Sequence, residues 1–297
     1  MKNISRLFYK EYFTDLAFDN PESDKEKIKE KNQIILEAHF FSIPHHLQYK
    51  DANNEIKFKG QTIPATIQYP GLVTGTGINH EAKIEGEFKL GVHFDYTYGM
   101  PVIYGSSVKG LLRSAFPDSD EVTNREKDAR KKTKRKKLRE AKMELIKSYL
   151  SSEEIGISNM DIDALRDQIF EGIGEDEQGE KGSLSIYKRD VFFDAVIIEP
   201  YTKKNGKPSI LESDSITPHV KKEMTYEQSM LKNPIPLTFL KIASGVKMEF
   251  RFDLKPTTID KVKITDEQKK CLFEKILKDF GIGAKTNVGY GQFKQSR

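Results

Sequence analysis

The sequence predicts an α+β fold, and three observations lead to it. Between residues 246 and 254, Val246, Met248, Phe250, Phe252 and Leu254 alternate with Lys247, Glu249, Arg251 and Asp253, the period of two that marks a strand with one buried face. Thr265-Asp266-Glu267-Gln268 has the spacing of a capping box and opens a helix carrying Leu272, Phe273, Ile276, Leu277 and Phe280. Helical and strand patterns mix along the chain without the regular βαβ rhythm of a parallel sheet, which favours ferredoxin-like sheets.

The elements follow in order. Leu7, Phe8, Tyr12, Phe13 and Leu16 recur at helical spacing, as do Ile28, Ile35 and Leu36 after a break at Pro21. From about Ile56 the pattern turns to short strands punctuated by Gly and Pro, over 63–69, 88–98 and 101–104. Ser106 or Ser107 is expected as the N-cap of a helix with Val108, Leu111, Leu112 and Ala115, which Pro117 stops. Residues 118–182 read as a charged helical insertion. It holds a helix with Leu138, Met143, Leu145, Ile146 and Leu150, another with Ile162, Leu165 and Ile169, and a Gly/Glu-rich loop at 171–182. Strand signals resume over 183–198, and 200–235, rich in Pro and polar residues, reads as long loops or an extended arm. Gly281 ends the capped helix, and a short strand around 290–293 closes the pattern.

Composition excludes several classes. No apolar run approaches the roughly 18 residues that cross a bilayer. The first residues have no apolar stretch of a secretory signal. The single cysteine, Cys271, excludes an intrachain disulfide and a cysteine-based zinc cluster. The expectation is a cytoplasmic protein with no membrane partner. Formal net charge is +4, but residues 125–139 hold ten Lys/Arg against two acids, a window of +8 that leaves the rest of the chain at −4. A polyanionic partner is thus suggested by one local feature. Two readings of that run stay open: a grip on RNA, or a solvated helix.

Three glycine-bearing motifs carry the site chemistry. In residues 281–291, Gly281, Gly283, Gly289 and Gly291 bracket a five-residue segment with Lys285, Thr286 and Asn287, followed by Tyr290. Missing side chains let backbone N–H groups lie against phosphates, while Lys285 adds charge and Thr286 and Asn287 add hydrogen bonds. The alternative is a tight turn using glycine for steric reasons. A Walker A loop is rejected, because that motif needs Gly where Ala284 and Asp279 stand. The second motif is the helix start at 105–113, where Ser106 and Ser107 add donors and Lys109 and Arg113 share a face; its bland counterpart is a capped helix with solvated cations. The third is the 71–81 segment with Gly75, Gly77 and His80. His80 has the chemistry of a ribonuclease general base, yet no second His or Lys pairs evidently with it. His45, His46 and His219 add nothing, and no His/Asp/Glu spacing suggests a metal. Neither a cofactor nor a catalytic residue is assigned.

Taken together these motifs resemble the RAMP superfamily of CRISPR systems, and within it the family of sixth subunits of type III-B (Cmr) effector complexes. The resemblance rests on the glycine loop at 281–291 with Gln292-Phe293, on Pro70-Gly71-Leu72 and the glycines at 75 and 77 with His80-Glu81, and on Phe94-Asp95-Tyr96, Pro101 and the 105–113 stretch. It rests also on Val191-Phe192-Phe193-Asp194-Ala195, Asp214-x-Ile216-Thr217-Pro218-His219, Asn233-Pro234-Ile235 and the opening Leu7-Phe8-Tyr9-Lys10 with Tyr12-Phe13. It covers most of 1–16, 63–117 and 186–293. Tyr104 departs from it, standing where many relatives carry a small residue or Pro.

The resemblance implies one elaborated RAMP domain over 1–297 with an RRM-like, ferredoxin-type core and room for a second, degenerate ferredoxin-like unit. Residues 1–55 would be an N-terminal helical segment, 56–117 and 183–297 the core, and 118–182 the insertion. It implies a ribonucleoprotein that holds CRISPR guide RNA and its target RNA, with this subunit capping the helical backbone near the 3′ end of the guide. Its partners would be the backbone RAMP subunit and the other capping RAMP subunit. The expected RNA-binding residues are Gly75, Gly77, His80, Ser106, Ser107, Lys109, Arg113, Gly283, Lys285, Thr286, Asn287, Gly289, Tyr290 and Gly291. Two further functions stay open: a metal-independent RAMP endoribonuclease processing CRISPR RNA with His80 as acid/base, and a protein–protein scaffold in which the glycine motifs are only turns.

Overall fold

A computed structural model describes residues 3–18, 20–37, 49–50, 56–75, 84–89, 91–119, 125, 127–151, 161–175, 180–203, 206–216, 237–259 and 261–295. The elements used below are α1 (Pro21–Leu36), β1 (Gln61–Ile67), β2 (His93–Phe94), β3 (Pro101–Ile103), α2 (Gly105–Ala115), α3 (Ala129–Ser151), α4 (Ile162–Arg166), β4 (Ala195–Glu199), β5 (Leu211–Ile216), β6 (Leu237–Ile242), β7 (Lys247–Asp253), α5 (Asp266–Phe280) and β8 (Phe293–Gln295). The architecture is mixed α and β around an antiparallel sheet. Its strand order is β8-β1-β7-β4-β3-β2, with Val191–Phe192 pairing on β7 as well. β5 and β6 form a separate antiparallel pair from Leu211↔Ile242 to Ile216↔Leu237.

Strand β7 sits at the centre because both of its edges are paired. Phe250 lies opposite Ile63 on β1, and Met248 opposite Ile197 on β4. Met248, Phe250 and Phe252 join one core with Val108 and Leu112 of α2 and with Leu272, Phe273 and Ile276 of α5. The spacing of these residues therefore does what it predicts: period two on the strand meets period 3.6 on the helices. The capping box also forms, with Gln268 N–H donating to Thr265 Oγ1 at 3.2 Å and Thr265 N–H to Gln268 Oε1 at 2.9 Å.

The opposite face of β7 departs from a solvent-facing charged stripe. Arg251 is 1% exposed. Its Nε donates to Glu249 Oε1 at 2.8 Å, and its guanidinium stands 5.2 Å from the Phe58 ring centroid. Phe58 in turn meets Phe193 edge-to-face at 5.2 Å. Period two tells which side chains share a face, but what covers that face depends on residues far along the chain.

Two further segments are tied to the rest of the fold by distant contacts. The segment 200–235 contains strand β5, while its remainder from 217 lies outside the described residues. Within 118–182, the basic run lies mostly on α3, whose end joins the core through Ile146 and Leu150, as do Ile162, Leu165, Ile169 and Phe170 after it. α3 is tied to α5 by Lys275 Nζ, which donates to the Tyr149 carbonyl at 2.8 Å, and by the Tyr149 hydroxyl, which donates to Asp279. A buried ion pair, Lys269 with Asp190 at 2.6 Å and 1% and 2% side-chain exposure, ties the first turn of α5 to the segment preceding Val191.

Candidate nucleic-acid interface

The glycine loop begins where α5 stops, with Gly281 N–H donating to the Leu277 carbonyl at 3.0 Å. It then doubles back on itself: Ile282 N–H donates to the Gly291 carbonyl at 2.9 Å. A Cβ on Gly291 would sit 1.8 Å from the Ile282 carbonyl oxygen, so only glycine allows this closure. The loop is stitched to residues 71–73 by Ala284 N–H to the Val73 carbonyl at 2.7 Å and Gly291 N–H to the Gly71 carbonyl at 2.8 Å. Gly289 is a different case. Its φ of +95° demands glycine, yet only Pro70 Cδ, at 3.6 Å, lies near an added Cβ. The glycines thus differ in what they serve: Gly291 allows backbone closure, whereas Gly289 meets a conformational demand with room beside it.

Between the stitched ends, Lys285 adopts the left-handed region at φ 62° and ψ 29° and starts a single tight turn over Thr286–Val288. Its carbonyl accepts from Val288 N–H at 3.1 Å and Tyr290 N–H at 3.3 Å. The turn leaves Asn287 and Val288 exposed, with Lys285 and Thr286 half-buried.

The other two motifs come to the same place. Thr74 and Gly75 hang on the Gly91 carbonyl through their N–H groups, and the Thr74 hydroxyl accepts from His93 N–H at 2.6 Å. Helix α2 starts one residue earlier than Ser106. Tyr104 occupies the N-cap position without a side-chain cap bond, and its ring stacks on His93 at 5.0 Å. Ser106 and Ser107 instead lie exposed in the first turn. The helix end is served from outside: Gly105 N–H donates to Asp194 Oδ1 at 2.7 Å, a carboxylate where the N-terminal dipole favours negative charge. Asp194 belongs to the 191–195 motif, so the signal for it was present without its partner being legible.

Thr74, Ser107, Leu111, Gly283, Ala284 and Thr286 line one cleft of about 430 Å³, within the size range of ligand sites. Ser107, Gly283 and Thr286 among the expected contacts therefore converge. Lys109 and Arg113 lie on α2 but are already engaged: Lys109 Nζ stands 6.0 Å over the Phe192 ring, and Arg113 Nε donates to Glu171 Oε1 at 3.2 Å. Gly77 and His80 lie outside the described residues.

Tyr290 is not an exposed ring. It is 8% exposed, and its hydroxyl donates to Asp214 Oδ2 at 2.7 Å. The same oxygen accepts from Lys241 Nζ at 2.8 Å, and Lys241 Nζ stands 5.9 Å over the Tyr290 ring. Burial works to raise the Asp214 carboxyl, but hydrogen bonds from Lys241 and Tyr290 outweigh it and hold the group below the usual carboxylate range. Tyr290 is pushed up by burial and then by its bond to that carboxylate. The cluster locks the glycine loop to the β5–β6 pair. Lys241 carries no sequence signal of this role, since it looks like any charged residue in a strand.

Among the described residues no group of His, Cys, Asp and Glu stands in a metal-holding cluster, and no helix is long and apolar enough to cross a membrane. No curated protein matches the sequence. Among solved structures the chain is similar to a chain of the type III-B Cmr-beta complex bound to cognate target RNA, at 20% identity and a TM-score of 0.45, over 80% of this chain and 58% of that one. This chain thus spans less than two thirds of that protein's length. It is similar to Cmr6 of Pyrococcus furiosus at 22% identity and a TM-score of 0.36, covering 80% of this chain and 97% of that one. A chain of a type IV-B CRISPR complex is similar at 12% identity and a TM-score of 0.35, over 80% and 90%. The model of the RAMP superfamily matches residues 65–294, most of the chain and all three elements that line the cleft, and the chain belongs to that superfamily.

Proposed function

We propose that the chain is a non-catalytic RNA-binding and assembly subunit of a type III-B CRISPR RNA-guided antiviral effector complex in the cytoplasm. It caps the complex's backbone near the 3′ end of the guide RNA and contacts guide–target RNA. Its neighbours are the backbone RAMP subunit and the other capping RAMP subunit. The observation that carries this reading is the convergence of three motifs, distant in sequence, on one cleft lined by the hydroxyl-bearing Thr74, Ser107 and Thr286 and by Gly283. Such hydroxyls suit phosphates and 2′-hydroxyls, which position RNA without reading its sequence; sequence is then left to guide–target pairing.

We also read the core as RRM-like. The order β8-β1-β7-β4, with α2 following β1 and α5 following β7, supports a β-α-β-β-α-β arrangement, and β3 and β2 extend it at one edge. A second, degenerate ferredoxin-like unit would have to be built around β5 and β6.

Reconstitution on labelled guide RNA tests the function. Lys109→Ala or Arg113→Ala is expected to weaken assembly and flatten its salt dependence, with Glu171→Gln as control for the Arg113 ion pair. Unchanged binding of both variants across a salt titration would sink the assignment. Isolated protein mixed with repeat RNA and chelator is expected to leave it intact; cleavage that His80→Ala abolishes would establish the endoribonuclease instead.

A further inference from the structure

Helix α3 has two unlike halves. Its second half docks, with Ile146 and Leu150 buried and Tyr149 held against α5. Its first half touches no core: every residue from 127 to 138 is exposed. That exposed half carries Arg130, Lys131, Lys132, Lys134, Arg135, Lys136 and Lys137 with no acid between Ala129 and Leu138. At about 100° of rotation per residue, these seven cations surround the axis rather than forming one face.

Local physics opposes this arrangement. Arg130 and Lys134, Lys131 and Arg135, and Lys132 and Lys136 are like charges one turn apart and repel. Arg130, Lys131 and Lys132 lie in the first turn, where the helix dipole is itself positive. The helix has no acid in its first turn. At the start of the helix, Asp128 Oδ1 accepts from Arg130 N–H at 2.9 Å and from Lys131 N–H at 3.2 Å. An exposed segment whose charges repel along its own helix is a place to look for function.

We propose that the exposed half of α3 is a second RNA-binding element, a projecting cationic arm that takes the phosphodiester backbone without reading sequence. Charge complementarity selects the partner. A polyanion dense in phosphate satisfies cations all round an axis, whereas a docked protein would engage one face. A lipid surface is disfavoured because the stretch offers only Leu138 as a large apolar side chain, so no apolar stripe exists to enter a bilayer. The arm is also a separate place from the cleft. Tyr149 is tied to Asp279, two residues before the glycine loop, and Lys131 to Lys137 lie about 18–27 Å along the axis from it at 1.5 Å per residue. The inference shares with the proposed function only the RNA partner, and the two fail separately.

The test uses the full chain and a dye-labelled single-stranded 20-mer RNA, followed by fluorescence anisotropy between 50 and 400 mM salt. The variant is Lys131→Gln/Lys132→Gln/Lys134→Gln/Lys136→Gln, because glutamine keeps helix propensity while removing four charges. Expected are a loss of affinity of at least tenfold at 100 mM salt and a salt slope shallower by about three, at roughly 0.7 per phosphate contact on a single strand, with unchanged circular dichroism at 222 nm. Thr286→Ala, which removes a hydroxyl from the cleft lining, serves as the cleft comparator. If the arm variant binds like the parent while Thr286→Ala weakens guide assembly, the arm inference is overturned and the proposed function stands. If only the arm variant weakens, the arm stands and the cleft reading falls. Binding to phosphatidylserine vesicles as tight as to RNA would overturn the assignment to nucleic acid.

Discussion

Replacing Asp214 by Asn removes a charge while preserving the shape of the side chain that joins the glycine loop to the β5–β6 pair. In the parent, Asp214 Oδ2 accepts from Tyr290 at 2.7 Å and Lys241 at 2.8 Å. Hydrogen bonds to a charged group contribute about 1.5–3 kcal/mol and neutral ones about 0.5–1.5, so each of the two bonds loses about 1 kcal/mol when the acceptor becomes an amide. Lys241, 7% exposed, is then left with Glu212 as its nearer carboxylate, at 3.8 Å. Asp214 is itself 30% exposed, and solvent screens part of the pair. The net expectation is about 2 kcal/mol of lost stability, read by urea denaturation at pH 7, with a fall in Tm of roughly 4–8 °C. The pH dependence gives an independent reading. A carboxylate whose folded pKa is depressed contributes its stability above the unfolded value, near 3.9, and loses it as pH falls through the folded value. The gap between parent and Asp214→Asn should therefore be full at neutral pH and close below about pH 4. In a double-mutant cycle, Tyr290→Phe should couple to Asp214→Asn by about 1 kcal/mol. A destabilisation under about 0.5 kcal/mol, or strict additivity of the two substitutions, would refute the view that this cluster holds the loop.

Two further outcomes concern the same frame. Lys269→Met leaves Asp190 buried without its cation and should destabilise by about 3–5 kcal/mol in thermal melts, whereas replacing both partners with apolar residues of similar volume should recover most of that loss. Gly291→Ala places a methyl against the Ile282 carbonyl oxygen, where only 1.8 Å is available, and should abolish folded expression. Gly289→Ala meets open space and only backbone strain, so it should fold with a loss of about 1–2 kcal/mol in urea denaturation.

What could be read in advance was local. The alternation around β7, the capping box of α5 and the stop at Gly281 depend on residues within one element, and each is found where its pattern places it. The burial of Arg251 was not legible, because its cover, Phe58 and Phe193, comes from segments with no pattern that ties them to β7. The N-cap lies at Tyr104, two residues before Ser106 and three before Ser107, because the N–H partner at the helix start is Asp194, 89 positions away. Serine beside a helix start is a preference, and a distant carboxylate can outbid it.

The same division runs through the site. Glycine spacing by itself marked residues 281–291 as a loop, open to reading as a phosphate cradle or as a tight turn; the positive φ values and the closure at Gly291 came from the structure. The sequence by itself determined too where positive charge is concentrated and that no run is apolar enough to span a bilayer. Only the tertiary structure decided that Thr74, Ser107 and Thr286 share one cleft, that Tyr290 is a buried strut on Asp214, and that one half of the basic helix is anchored while the other projects. The reason is physical. Periodicity and backbone sterics act over a few residues, whereas burial and pairing of charge are set by which surfaces meet, and Asp214 meets its Lys and Tyr across 27 and 76 residues of chain.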